Sequence, residues 1–198
     1  MTTRIIVPHR GLAAAKTRLS GVLAPDERVA LAERLLRHVL AVAGAAAGGV
    51  EVVVISPALS LAGLVSASGA RLVVQRGMGL NAGLQQARRE ALEDGIDLLA
   101  VLHGDLPNLA ADDIEALLDA VAAPRGAAIA ADKTGRGTNA LALRPPDVID
   151  FRFGVGSLAA HIAQADGLPL SVVDRPGLAF DLDTPADLAR WLEMGDAA

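Results

Sequence analysis

With 198 residues, 52% of them hydrophobic but only 2% aromatic, the chain can bury roughly 70% of its unfolded surface in one ordinary core, built of Ala, Val and Leu rather than large rings. A formal net charge of −5, scattered basic residues and the shortage of rings for base stacking argue against a nucleic-acid partner. Cysteine is absent, which excludes disulfides, thiolate nucleophiles and cysteine-ligated zinc; any metal must be held by oxygen or histidine, which leaves Mg²⁺-type chemistry open.

The apolar stretch 5–7 near the N-terminus is far too short for a secretory core, and the longest uncharged apolar run, 39–50, is too short and too alanine-rich to cross a bilayer. A cytoplasmic protein without a membrane partner is expected. Short β-branched runs at 4–7, 51–55, 71–75 and 97–102 read as strands, separated by helical patterns at 25–43, 59–66, 81–93 and 109–122. Pro25 suits a first helical turn, with Asp26 and Glu27 at its positive end. This alternation predicts an α/β fold with a mostly parallel central sheet and helices on both faces.

The rhythm then changes: strands at 127–131 and 140–143, a break at Pro145-Pro146, a helix from about Ser157 and a strand near 170–173 predict mixed strands at one edge. Thr184, Pro185 and Asp187 have the spacing of a helix cap, first position and capping-box acid. No linker, repeat or low-complexity segment divides the chain, so residues 1–198 are expected to form a single domain.

In open α/β sheets ligands bind beyond the carboxyl ends of the strands, so the loops there are the candidates for chemistry. After the first strand comes His9-Arg10-Gly11, then Lys16 and Arg18, a basic glycine-containing loop that could wrap a triphosphate although it is neither a Walker A loop nor GxGxxG. The plainer alternative is a pair of solvated surface charges. After the third strand, Gly77, Gly79 and Gly83 would let a ligand approach the backbone, with Asn81 a conventional helix cap. Asp105 ends an apolar strand and could hold a hard cation, or form only a turn before Pro107; the neighbouring His103 reads as packing. Asp181 and Asp183, spaced i and i+2, would point to one face of an extended segment and share a metal, unless Asp183 serves only the last helix. Finally, 135–139 and 151–157 supply hydroxyls, glycines and a helix start suited to a phosphate or carboxylate, or simple turn punctuation.

The segments AKTRL, GLNAGL, HGDLP, GTNALAL, FGVGS with His161 after it, and FDLDTPADL resemble, in order and over nearly the whole chain, the guanylyltransferases of deazaflavin coenzyme F(420) biosynthesis. The resemblance implies a Rossmann-like nucleotidyltransferase fold of the GT-A type, similar to molybdenum-cofactor guanylyltransferases. It implies transfer of GMP from GTP to phosphoenolpyruvate, 2-phospho-L-lactate or 3-phosphoglycerate, with release of pyrophosphate. It puts metal, one or two Mg²⁺ ions, on Asp105, Asp181 and Asp183, and the phosphorylated acid on Thr138, Gly154 and Ser157. Lys16 and Arg18 are expected to face phosphates, and Gly79, Leu80 and Asn81 the nucleotide. His9-Arg10 departs from the lysine-containing stretch usual after Pro8 and receives no role. Alternatives are another acceptor, such as molybdopterin or a sugar phosphate, and a non-catalytic nucleotide-binding domain. The Ala/Leu helices could supply a homodimer surface.

Overall fold

The computed structural model describes residues 2–46 and 50–196; the expected domain over 1–198 and the apolar run 39–50 each extend beyond them. Seven strands form one sheet: β1 (Thr3–Pro8), β2 (Glu51–Ser56), β3 (Arg71–Val74), β4 (Leu98–Leu102), β5 (Gly126–Ala131), β6 (Thr138–Arg144) and β7 (Leu170–Val172). Their order is β3-β2-β1-β4-β6-β5-β7. Only β6 runs against its neighbours, β4 and β5; the other pairings are parallel. The mixed edge foreseen in the second half is therefore this β6-β5-β7 end.

Strand side chains alternate between two cores, which is why the central strands are apolar throughout. Ile5, Val7, Val52, Val54, Leu98 and Ala100 face one core with Leu36, Val39 and Leu40 of α1 (Pro25–Ala45). Its other cover includes Leu64 and Val65 of α2 (Ala62–Ala67) and Ile114 and Leu117 of α4 (Ala111–Asp119). Ile6, Val53, Ile55, Leu99 and Val101 face the second core, covered by Leu84, Ala87 and Ala91 of α3 (Leu80–Glu93) and by Ile149, Phe151 and Phe153. A small third cluster joins Leu19, Leu35 and Leu182, with Leu188 and Trp191 packed against it.

Helix ends follow local hydrogen bonding. The Glu27 carboxylate accepts the Ala24 N–H at 2.7 Å and starts α1 at Pro25. Asp113 does the same for Ala110 at 2.9 Å, so α4 begins at Ala111, inside the expected 109–122. The predicted helix 59–66 divides into a 3-10 turn, Leu59–Leu61, and α2. Two short helices follow β6 and β7: α5 (Ser157–Ile162), near its expected start, and α6 (Pro176–Ala179), unforeseen. The last helix, α7 (Pro185–Asp196), opens as anticipated: Thr184 Oγ1 accepts the Asp187 N–H at 3.3 Å and Asp187 Oδ2 accepts the Thr184 N–H at 2.7 Å.

Candidate active site

The loops after β1, β3 and β4 meet over a cavity of about 460 Å³, lined among others by His9, Lys16, Arg18, Gly79, His103 and Asp105. Its position at the carboxyl ends of the strands is where the fold leaves side chains free for a ligand. The loop after β1 turns tightly enough that Gly11 has φ 99°, and a Cβ there would stand 2.8 Å from that of Ala58. Five residues on, Lys16 has φ 54°, the one non-glycine among the described residues with a positive φ. A left-handed L-residue costs roughly 1–2 kcal/mol, and such strain commonly accompanies a functional constraint.

That conformation coincides with the placing of a charge. Lys16 Nζ lies 2.7 Å from Asp105 Oδ2 and 3.1 Å from Asp183 Oδ1, with its side chain 6% exposed. Lys16 is thus no solvated surface charge, whereas Arg18, 3.3 Å from Asp183 Oδ2, is 74% exposed. Burial alone would raise the Asp105 carboxyl, but the charge and hydrogen bond of Lys16, with His103 and His9 adding to them, hold it below the ordinary carboxylate range. His9 is pushed down to about 4, mainly by burial, with Lys16 and Arg10 adding to the effect and Asp105 opposing it. Its Nδ1 accepts the Gly11 N–H at 3.0 Å.

The two acids of the 181–183 segment take different partners, which corrects the expected shared face. Asp183 joins Asp105 on Lys16, but Asp181 Oδ2 lies 3.2 Å from Lys133 Nζ and its Oδ1 accepts from Asn139 Nδ2 at 3.4 Å. Lys133 also reaches Asp187 at 3.0 Å and donates to the Asp181 carbonyl at 2.6 Å, tying the β5-β6 turn to the segment before α7. Among the described residues no three His, Asp or Glu side chains gather as a metal cage. Asp105 and Asp183 nonetheless fit a hard cation: both are oxygen donors lining the cavity, and Asp105 Oδ1 is buried without a hydrogen-bond partner.

Gly79 and Leu80 line the cavity. Asn81 is not the cap of α3, a place taken by Gly79. Its side-chain amide instead donates to the Phe153 carbonyl and accepts the Phe153 N–H, both at 3.0 Å. The loop after β3 is thereby clasped to the segment carrying Gly154 and Ser157. Thr138, Gly154 and Ser157 come together beside His161, outside the cavity wall: Thr138 Oγ1 is 3.1 Å from His161 Nδ1, and the Ser157 N–H donates to the Gly154 carbonyl at 3.2 Å.

Sequence reasoning gave Lys133 and Asn139 no role of their own and read His103 as packing. His103 lines the cavity, stacks at 5.5 Å on Phe153 and has a buried Nε2 without a partner. Asn139 Nδ2 also donates to the Leu178 and Ala179 carbonyls at 3.0 Å. Its signal was visible in an asparagine set inside an apolar strand, where a buried amide must find partners.

A sheet of this order, six strands parallel and one reversed, with a basic loop after β1 and a carboxylate after β4, defines a Rossmann-like nucleotidyltransferase fold. A solved structure from Desulfovibrio desulfuricans, described as a nucleotide-diphospho-sugar transferase, superposes with a TM-score of 0.81 at 18% identity, covering 98% of this chain and 88% of that one. More particularly, the chain belongs to the family described as guanylyl transferase CofC like, whose model matches residues 3–197. It is 48% identical over 190 residues to the phosphoenolpyruvate guanylyltransferase of Sphaerobacter thermophilus, covering 95% of this chain and 91% of that protein. It is 40% identical over 191 residues to the 3-phospho-D-glycerate guanylyltransferase of Phenylobacterium zucineum, covering 92% and 86%.

Proposed function

We propose that this guanylyltransferase moves GMP from GTP onto the phosphate of a three-carbon acid, phosphoenolpyruvate, 2-phospho-L-lactate or 3-phosphoglycerate, and releases pyrophosphate in the making of coenzyme F(420). The observation that carries the reading is Lys16, strained and nearly buried between Asp105 and Asp183 in the cavity of a chain from a guanylyltransferase family. The names of the two relatives support a phosphorylated three-carbon acceptor, and they differ over which one.

The acceptor phosphate needs no base, because its second pKa of about 6 leaves it largely ionised at pH 7. Its oxygen attacks the α-phosphorus of GTP in line; a new P–O bond forms as the bond from that phosphorus to the pyrophosphate oxygen breaks. Lys16 neutralises charge that gathers on the α-phosphate, and Arg18, at the cavity mouth, meets the departing phosphates. Gly79 and Leu80 bound the nucleotide side, while Asn81 acts through its clasp on Phe153. Asp105 and Asp183 would hold Mg²⁺, with Asp181 as a third carboxylate two residues away; the ion, when bound, supplies Lewis-acid neutralisation of phosphate charge. Thr138, Gly154 and Ser157 form the acceptor side. We place the reaction in the cytoplasm, where GTP and phosphorylated acids are made, and treat the chain as one domain.

The test is to incubate the purified protein with GTP, Mg²⁺ and each acid separately, following pyrophosphate release and product mass. Turnover with one acid supports both the reaction and that acceptor; silence with all three, from folded protein, overturns it.

A further inference from the structure

His161 is completely buried, and both of its ring nitrogens are engaged. The backbone N–H of Arg152 donates to Nε2 at 2.9 Å. An amide N–H can only donate, so Nε2 must present its lone pair, and the neutral ring then carries its hydrogen on Nδ1. A doubly protonated ring would set two hydrogens against each other at Nε2. Burial, against the smaller opposing effect of a hydrogen bond that the ring N–H gives to the Ser157 backbone, holds the imidazole down at about 4, which keeps it neutral near pH 7. Phe153 fixes the ring plane from the side, edge to face with centroids 4.9 Å apart.

The contact between Nδ1 and Thr138 Oγ1 at 3.1 Å therefore has one direction: His161 donates and the threonine hydroxyl accepts. The hydroxyl's own hydrogen is left to spend. Thr138 is 2% exposed, and among the described residues no other group takes a hydrogen bond from it. A buried donor without an acceptor is uncommon enough to need a cause. The next residue, Asn139, accepts the His103 N–H on its carbonyl, which sets Thr138 one strand position from the loop that carries Asp105. His103, Phe153 and His161 stack in sequence from the cavity wall to this point. Beside it, Gly154 and Gly156 have φ 133° and 72°, conformations that side chains rarely take, and leave the backbone bare before α5.

We propose that His161 is a positioning residue of the acceptor side: by donating from Nδ1 it commits the Thr138 hydroxyl to donate in turn to an oxygen of the bound phosphorylated acid. This rests on the acceptor reading given above for Thr138. His161 touches no substrate, and its contribution is to remove the other direction in which that hydroxyl could point.

Two kinds of measurement test it. In ¹⁵N-histidine-labelled protein, the ring nitrogens of His161 should show the Nδ1–H tautomer at neutral pH, with or without substrates; an Nε2–H tautomer or a charged ring overturns the inference whatever the enzyme acts on. In steady-state kinetics, Thr138→Val and His161→Phe should each raise KM for the acceptor about tenfold, the scale of one lost neutral hydrogen bond, while KM for GTP stays within about twofold. His161→Asn, whose short amide can still donate to Thr138, should recover much of that loss. Combining His161→Phe with Thr138→Val should be no worse than either alone, since both cut the same chain of hydrogen bonds. Equal changes in both KM values, or additive losses, would mark His161 as a general structural residue and overturn its positioning role. If His161→Phe does not fold, the Asn variant and the tautomer still decide. If the wild-type protein turns over none of the three acids, the acceptor reading fails and takes this role with it, while the tautomer measurement shows separately whether the hydroxyl is oriented as described.

Discussion

Lys16 joins a strained backbone to a shared charge. Its ammonium group is shared by two carboxylates, so Lys16→Met should leave Asp105, three-quarters buried, without its main compensating charge. The Asp105 carboxyl should then titrate higher by NMR, and guanylyl transfer should fall by at least about 100-fold, the scale of a lost charge-stabilising contact of a few kcal/mol. Asp183→Asn keeps the shape but not the charge; unchanged pyrophosphate release in that variant would remove the carboxylates from the mechanism. Arg18→Ala should differ, shifting stability by less than about 0.5 kcal/mol because the side chain is exposed while raising KM for GTP. Histidine supplies the pH dependence. His9 and His161 each have an ordinary pKa of 6.5 when unfolded and about 4 in place, so between those values the unfolded chain binds protons that the folded chain does not. Stability must therefore fall as pH drops through that window. The buried carboxylate partners Asp105 and Asp187, held below their ordinary range, add losses only at lower pH. Thermal melts from pH 7 to 4 should show this decline, and His161→Asn, starting from a lower melting temperature, should show a shallower slope.

At the scale of elements, the start of α7 is both a helix cap and part of the site's support. Asp187 accepts from the N–H groups of Asp183 and Thr184 and pairs with Lys133, so one carboxylate holds the loop of Asp181 and Asp183 at two points. Thr184→Ala should cost about 1 kcal/mol, as loss of a capping hydroxyl does. Asp187→Ala should cost more in urea melts and should also depress activity, because Lys133 and the loop of Asp181 and Asp183 lose their common anchor. Where α6 packs on the start of α4, a Cβ on Gly177 would collide with the Asp113 carboxylate and stand 2.7 Å from the Asn108 carbonyl. Gly177→Ala should therefore destabilise by roughly 1–3 kcal/mol, the range for overpacking a filled site. The boundaries of α1 and α7 were legible because their capping signals are local: Pro25 with Glu27, and Thr184 with Asp187. The start of α3 was not, since Asn81 has the composition of a cap but is drawn away by Phe153, a residue 72 positions distant.

For the whole molecule, the ligand and the fold are thermodynamically linked. A nucleotide that binds only the folded chain stabilises it by about 2.7 kcal/mol at 100 times its Kd, which for a chain of this size should raise the melting temperature by several degrees. GTP with Mg²⁺ should produce that shift, CTP with Mg²⁺ a smaller one, and chelation of the ion should remove most of it. An equal shift with both nucleotides would count against guanine selectivity. The antiparallel β6 has a consequence at this scale too. Running against β4, it brings its first residues, Thr138 and Asn139, level with the end of β4, where Asp105 follows. Thr138 and Asp105 are brought to one end of the sheet through that one reversal.

The alternation of β-branched and Ala/Leu segments determined the α/β class and most of the element positions, because the periods of strand and helix are properties of neighbouring residues. Three of the loops that line the cavity were legible too, since a charge or glycine at the carboxyl end of a strand faces the crevice in any such sheet. Only the tertiary structure decided who partners whom. Asp181 and Asp183 stand two residues apart with the same side chain, yet one meets Lys133 and the other Lys16, lysines far apart in the chain. Likewise nothing near His161 in sequence says that a strand residue 23 positions earlier receives its hydrogen bond. Such pairings are set by which segments the sheet order brings side by side, and long-range contact has no local period to read.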